Sequence, residues 1–392
     1  MFSNFKTNFR NCIALIYGYS ISEFVRLLGL LLRTQSKILC ISYYGKGFGC
    51  NPKYIAKELL DLDDTVKIYW AIKDGFCENQ NENIKLIKYK SPMFYYHLAT
   101  SKIWISNIRL PWYFAKKKDQ FYIQTWHGAI SLKRIEKDAE SALTVNYLKH
   151  AKYDSKVANL FISNSKFNTD LYQNSFWYNG EILESGCPRN DILINNDKDV
   201  YEKVKYDKLK IDKNKKILLY APTFRHNHSI SVYDLDFKSC IKALESKYDS
   251  EFVLLLRLHP NVSYLSKDFT KDFSGIDVTS YDDMQELLLV SDVLITDYSS
   301  SMFDFSITTK PVFIYASDVE EYKSDRDFYF ELERLPFPLA TTNEKLLVNI
   351  LEFDFDSYKS KLEKFHSQIG LNETGKASSI VAKRIIREIG SV

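Results

Sequence analysis

An α/β protein of two domains, each built on a parallel sheet, is predicted by three observations. Short apolar runs alternate with helical stretches along the whole chain. A charge-rich, apolar-poor stretch, NNDKDVYEKVKYDKLKIDKNKK (195–216), separates them into two sets. Several runs end directly in polar, cationic or hydroxyl-bearing motifs, and in parallel α/β sheets ligands bind outside the carboxyl ends of the strands.

In the first set, KILCISY (37–43), VKIYWAI (66–72), IWIS (103–106), FYIQT (121–125) and LFISN (160–164) read as buried strands. Helical stretches such as 52–60 and 166–175 lie between them, the rhythm of a parallel sheet. The second set holds KILLY (216–220), FVLLLRL (252–258), DVLIT (292–296) and PVFIY (311–315), with helices expected over 235–247, 282–290 and 300–308. Two further helical segments, 343–365 and 375–389, close the second domain, and the last is expected to cross back to the first. The division is therefore residues 1–37, 38–195 and 196–392, with no solenoid repeat and no low-complexity tract.

With 392 residues, 45% apolar and 26% charged, the chain is globular and too long for one ordinary core. A net charge of +3 argues against a nucleic-acid binder. Aromatic residues make up 15%, so some rings are candidates for a wet or lipid interface. The six cysteines are scattered without a C-x-x-C pair, as in a reducing compartment, and Cys187 reads as a small buried residue.

Residues 1–37 are apolar but interrupted by Glu23 and Arg26, so no uncharged run reaches the ~18–20 residues of a spanning helix. Lys6, Arg10, Arg26, Arg33 and Lys37 against Glu23 make the segment basic. Amphipathic helices of this kind either lie on anionic bilayers or pack on the adjoining domain, and the two are compatible. PWYFAKKK (111–118) sets aromatic rings beside lysines, a pattern of interfacial anchors and also of solvated loops.

The chemistry sits at strand ends. LVSDVLITDYSSSMFD (289–304) runs from a strand into Ser299, Ser300 and Ser301 at a helix start, a place for phosphate or simply a serine cap. QTWHG (124–128) and LLLRLHP (254–260) each place a histidine after a strand, and YAPTFR (220–225) places Thr223 and Arg225 likewise. A base near a hydroxyl and cationic groups on a phosphate are what phosphoryl-linked group transfer requires, and His127 and His259 can fill those roles. Gly128 lets a ligand approach the backbone. His97, His150 and His366 on helices, and His226 and His228 in a polar loop, read as structural; HNH spacing alone makes no metal site.

QTWHG, GCPRND (186–191), APTFR, RLHP and TDYSSSMFD, in this order and spacing, resemble the CDP-glycerol glycerophosphotransferases of teichoic acid and capsular polymer synthesis. GKGFGCNPKYIAKELL (45–60) and SDRDFYFELERLPFP (324–338) are similar to further segments of that family, so the resemblance runs from about residue 38 onward. It implies two Rossmann-like domains facing across a cleft (GT-B type), and transfer with neither metal nor cofactor. By that resemblance His127 takes the proton from the acceptor hydroxyl and His259 polarises the donor phosphate, supported by Arg257 and its neighbour Leu258. Gly128, Ala129, Ile130, Ser131, Arg189, Pro222, Thr223, Arg225, Ser299, Ser300 and Asp304 fall on substrate-binding positions. Two departures stand out: Ala129-Ile130-Ser131 replaces the usual Thr-Pro, and Glu373 lies one residue further from Gly375 than expected.

The implied donor is CDP-glycerol or a close CDP-alditol. The implied acceptor is a lipid-linked glycan or polymer, at the cytoplasmic face of the bacterial membrane, where the protein is peripheral. A homo-oligomer is compatible with this. A GT-B glycosyltransferase using a nucleotide sugar and a non-catalytic polymer-binding protein are the alternatives.

Overall fold

The computed structural model describes residues 2–73, 82–225, 234–258, 275–325 and 327–390, with side chains described for 15–322 and 327–390 within these ranges. Two wholly parallel sheets organise them. The first contains β1 (Gln35–Ile41), β2 (Lys67–Ile72), β3 (Ile84–Lys88), β4 (Ser101–Ser106), β5 (Phe121–Gln124), β6 (Leu160–Ser163) and β7 (Glu181–Glu184), in the order β3-β2-β1-β4-β5-β6-β7. The second contains β8 (Lys216–Tyr220), β9 (Phe252–Leu256), β10 (Ile276–Asp277), β11 (Val293–Thr296), β12 (Val312–Tyr315) and β13 (Leu339–Ala340), in the order β10-β9-β8-β11-β12-β13.

The central strands are apolar on both faces because both faces are covered. In β1, Ile38 and Cys40 pack toward helices Cys50–Leu62 and Ala377–Gly390, whereas Leu39 and Ile41 pack toward Pro92–Thr100. Ile38 stands opposite Ile68 and Ile103, and Cys40 opposite Trp70 and Ile105, so one register fills one layer. Helix Ala377–Gly390 does cross back: Val381, Ala382 and Ile385 are fully buried in the first domain's core beside Ile55, Ala56 and Leu59.

Three expectations change in detail. The N-terminal segment is one continuous helix, Phe2–Leu31, where the sequence suggested more than one. Its residues Gly18, Ser22 and Val25 are buried at helical spacing, and an added Cβ on Gly18 would stand 2.6 Å from the Trp112 ring. The charged stretch 195–216, read from the sequence only as the boundary between the two sets, is itself partly helical. It forms helix Lys198–Glu202, capped by Asp197, and continues as a π-helical turn whose Val204 enters the second core. The edge strands β3, β7, β10 and β13 were not anticipated.

Candidate active site

The order of each sheet reverses direction, between β1 and β4 in one and between β8 and β11 in the other. Loops leaving the carboxyl ends at such switch points diverge and leave a crevice. The two crevices face each other as a single cleft of about 2610 Å³, lined from the first domain by Tyr43, Trp126, His127 and Arg189 and from the second by Thr223, Arg257, Ser299, Ser300 and Asp304.

Asn107, just beyond β4, organises the first wall. Its Oδ1 accepts from the Tyr43 amide (3.0 Å), its Nδ2 donates to Ser42 Oγ (3.3 Å), and its carbonyl stands 2.6 Å from His127 Nδ1. A carbonyl can only accept, so Nδ1 carries the proton and Nε2 is the basic nitrogen. The imidazole stacks on Trp126, ring centroids 4.4 Å apart, and Trp126 itself is held at φ +52. Loss of hydration, reinforced by the Arg189 and Arg109 charges and opposed by the Asn107 carbonyl, pushes the His127 pKa down to about 4. The ring is therefore neutral at pH 7.

Arg189 joins the walls. Its Nη1 donates to the His127 carbonyl (2.8 Å) and its Nη2 pairs with Asp304 Oδ2 of the second domain (2.7 Å). Asn51 fixes the arginine's backbone through its amide N–H (3.1 Å) while donating to the Thr125 carbonyl (3.1 Å). Glu373 holds the same turn, accepting from the Cys187 amide (3.0 Å) and from the Asn164 and Asn190 side chains (2.9 Å each). Burial raises its pKa to about 7 against those three donors. A second buried ion cluster crosses the boundary where Lys53 pairs with Asp283 and with Glu286 (2.6 Å). Burial draws the Lys53 pKa down, but the two carboxylates outweigh it and leave it raised.

On the second wall, Arg257 donates to the Tyr281 carbonyl (2.6 Å), and no carboxylate among the described residues pairs with it. Burial lowers its pKa, and what it gains from Asp283 does not restore it. A guanidinium this poorly compensated favours an anionic ligand. The Thr223 amide donates to Asp297 (2.9 Å), and Ser299 and Ser301 hydroxyls lie 2.9 Å apart at the start of helix Ser301–Ser306. Ser300 faces Gly128 across the boundary, where an added Cβ would stand 3.9 Å from its Oγ.

Not every anticipated residue reaches the cleft. Arg225 binds Asp318 in a two-point pair (2.6 and 3.0 Å) and Asp297 (2.9 Å), and braces the β8 and β11 loops instead. Ala129 and Ile130 are 1% exposed, and Ile130 packs in the second domain's core. Their segment stitches the domains together: Arg134 N donates to the Asp327 carbonyl and Tyr329 N to the Leu132 carbonyl (2.8 Å each). Ser131 is half-buried and does not line the cleft, whereas Pro222 and Leu258 do, Leu258 being only 2% exposed. His259, with Pro260, His226 and His228, lies outside the described residues. Asn107 carries no sequence signal of its own, and Asn51 and Lys53, although within the quoted segment 45–60, are not singled out by it because each acts through contacts distant in the chain.

Two parallel α/β domains whose strand ends converge on a shared cleft with a neutral histidine, arginines and hydroxyls define a two-domain α/β transferase. The profile of the CDP-Glycerol:Poly(glycerophosphate) glycerophosphotransferase family matches residues 24–387. The teichoic acid poly(glycerol phosphate) polymerase of Bacillus spizizenii is 32% identical over 407 residues, covering 98% of this chain and 100% of that one. The teichoic acid glycerol-phosphate transferase of Staphylococcus aureus is 31% identical, covering 96% and 100%. The Staphylococcus epidermidis polymerase is 32% identical over 89% of this chain, which spans 50% of its length. A structure of the wall teichoic acid polymerase TagF, a variant soaked with CDPG, superposes with a TM-score of 0.82 at 29% identity, covering 99% of this chain and 98% of that one. The chain belongs to the CDP-glycerol:poly(glycerophosphate) glycerophosphotransferase family.

Proposed function

We propose that the two domains form a GT-B enzyme that moves glycerol phosphate from CDP-glycerol, or a close CDP-alditol, to a hydroxyl of a lipid-linked or polymeric acceptor. The acceptor oxygen attacks the β-phosphorus, which bears the glycerol. The bond from that phosphorus to the bridging oxygen breaks, and CMP leaves with the bridging oxygen. His127 Nε2 takes the acceptor proton; the observation that carries this is the Nδ1 contact to the Asn107 carbonyl, which commits the tautomer with Nε2 basic. Arg257, His259 and the Ser299 and Ser300 hydroxyls receive the diphosphate.

Binding of the dianionic diphosphate beside His127 raises that histidine's basicity when it is needed. Gly128 permits the acceptor hydroxyl to approach the backbone between Ser300 and His127. Asp304, held by Arg189, retains Oδ1 with no partner among the described residues, an acceptor for a donor hydroxyl.

Among the described residues no helix is long and apolar enough to cross a membrane. Docking at the cytoplasmic face is supported by helix Phe2–Leu31, on which Ile16, Tyr19, Leu27, Leu30 and Leu31 are exposed. Teichoic acid or capsular polymer is the product class of such a reaction. The deciding experiment incubates the protein with CDP-alditols and nucleotide sugars and identifies the nucleotide released. CMP from a CDP-alditol is expected, whereas a nucleoside diphosphate from a sugar donor overturns the reading.

A further inference from the structure

Outside the groups assigned above, three neighbouring strands of the first sheet each carry a lysine beyond their carboxyl end. Lys46 follows β1, Lys73 follows β2 and Lys90 follows β3, and these strands lie side by side at one flank of the sheet. Neighbouring strands are spaced about 4.8 Å apart, so topology sets the lysines in a row leading away from the switch point. Backbone contacts knit their loops together. Lys73 N donates to the Gly45 carbonyl (2.8 Å), and Tyr89 N donates to the Ile72 carbonyl (2.7 Å). Gly45, at φ +84, lies so close to Tyr89 that an added Cβ would stand 3.0 Å from the tyrosine Cβ.

The Lys73 and Lys90 ammonium groups share one aromatic platform. Lys73 and Lys90 each lie 5.6 Å from the Tyr89 ring centroid, and Lys90 is 5.7 Å from that of Tyr113. Tyr89 is 7% exposed, and its hydroxyl has no hydrogen-bond partner among the described residues. No carboxylate among those residues pairs with any of the three lysines. Partial burial, and then the Lys46 and Lys90 charges, lower the Lys73 pKa. The row is continuous at both ends: Lys46 lines the cleft, and Tyr113 meets Tyr17 of helix Phe2–Leu31 with centroids 5.9 Å apart. Like charges with no paired counter-charge among the described residues create a positive potential that an anion relieves.

We propose that Lys46, Lys73 and Lys90 form a phosphodiester-binding row that holds the phosphate-bearing part of the acceptor chain while its terminal hydroxyl enters the cleft. This rests on the transfer reaction proposed above. A glycerol phosphate chain bears one negative charge per unit, and lysine, a point charge without directional demand, suits a ligand that must advance by one unit after each transfer. Acceptor affinity therefore rises with the number of phosphodiester units and weakens with salt. Membrane phospholipids carry the same group, but the row opens into the cleft, which favours the acceptor.

The test measures steady-state transfer from CDP-glycerol to soluble acceptors bearing one, two and four phosphodiester units, in the absence of lipid, with the full-length protein. KM falls with added units in the wild type. In Lys73→Gln/Lys90→Gln that dependence is lost, and KM for the longest acceptor rises about tenfold, on the order of threefold per exposed ion pair. Lys73→Arg/Lys90→Arg retains the dependence. Fluorescence anisotropy with labelled free poly(glycerol phosphate) reads the same loss without turnover, and matched melting temperatures establish that the variants fold. Unchanged length dependence and unchanged polymer binding in the glutamine variant overturn the row. Unchanged length dependence with weaker sedimentation on phosphatidylglycerol vesicles overturns it in favour of lipid headgroups. If the wild type transfers nothing from CDP-glycerol, the reaction proposed above fails, and the anisotropy measurement still decides the row.

Discussion

Arg189 and Asp304 meet across the domain boundary, Nη2 to Oδ2 at 2.7 Å, with side chains 5% and 3% exposed. The arginine comes from the GCPRND turn that follows the first sheet, and the aspartate from the helix that follows β11. Gln285 Nε2 also reaches Oδ2 (3.3 Å). Burial raises the Asp304 pKa and Arg189 opposes it, so the carboxylate depends on its partner to stay charged. The pair couples helix Ser301–Ser306 to the backbone of the residue that bears the imidazole, since Arg189 also holds the His127 carbonyl.

Removing one member leaves a buried charge unpaired. Asp304→Leu is expected to destabilise the protein by about 3–5 kcal/mol, and Arg189→Met by a similar amount. The double variant Arg189→Met/Asp304→Leu is expected to lose less than the two single effects added together, because no unpaired charge remains. Urea unfolding of the four proteins checks this cycle, and a purely additive result rejects the coupling.

Substituting either histidine, His127→Ala or His259→Ala, is expected to lower transfer by about a hundredfold or more with folding retained, the usual loss for a general base or a phosphate-polarising group. The pH profile gives a sharper test for His127. With its free-enzyme pKa pushed down to about 4, the base is deprotonated at neutral pH, and activity is lost only as pH falls through that value. The acid limb of kcat/KM therefore lies well below the ordinary histidine range, and the limb of kcat lies higher because bound diphosphate favours the imidazolium. A kcat/KM limb at about 6.5, the unperturbed value, contradicts the desolvated setting.

The central strands and the strand-end motifs were legible from the sequence because physics concentrates both in short windows. β1, β4, β8 and β11 are covered on both faces, and their continuous apolar runs follow from that. β3 (IKLIK) and β7 (EILE) lie at sheet edges, where solvent takes one side and charged residues interrupt the run. β10 and β13 have two residues each and exist through their neighbours' register. Ser299, Ser300 and His127 at strand ends line the cleft, but Asn107 could not be anticipated. Its three hydrogen-bond roles join the loops leaving β1, β4 and β5, which only the strand order brings together. For Arg225 the motif shows its place beside the strand end but not Asp318, 93 residues further on, which holds its guanidinium.

Loss of the hydroxyls at Ser299→Ala/Ser300→Ala is expected to weaken CDP-glycerol binding. Helix Ser301–Ser306 spans six residues, so its dipole is small and the hydroxyl donors carry more of the phosphate contact than in a long helix. Two hydrogen bonds to a charged group are worth about 1.5–3 kcal/mol each, so a loss of at least tenfold in affinity is the expected calorimetric result. Unchanged donor affinity reduces the cluster to local bonding, for which the Ser299–Ser301 hydroxyl contact already suffices.

Helix Phe2–Leu31 and the PWYFAKKK loop form one surface. Tyr19 packs edge-on to Trp112 with centroids 5.0 Å apart, and Lys149 lies 3.7 Å from the Trp112 ring centroid. The helix's buried stripe is used up against the first domain, while Ile16 is 62%, Leu30 85% and Leu31 73% exposed on its other side. Contact with water is unfavourable for these apolar side chains, whereas a bilayer interface buries them and attracts Arg26, Arg33 and Lys118 by about 1 kcal/mol each near an anionic surface. Salt removes the charge contribution and leaves the apolar one, so raised ionic strength is expected to weaken attachment without abolishing it. Co-sedimentation with phosphatidylglycerol vesicles is therefore expected at low salt, declining as salt rises. Replacing Ile16, Leu30 and Leu31 together by serine, which leaves the buried stripe intact, is expected to reduce the fraction bound at every salt concentration. Intact protein that stays in the supernatant at low salt refutes the docking role of this face.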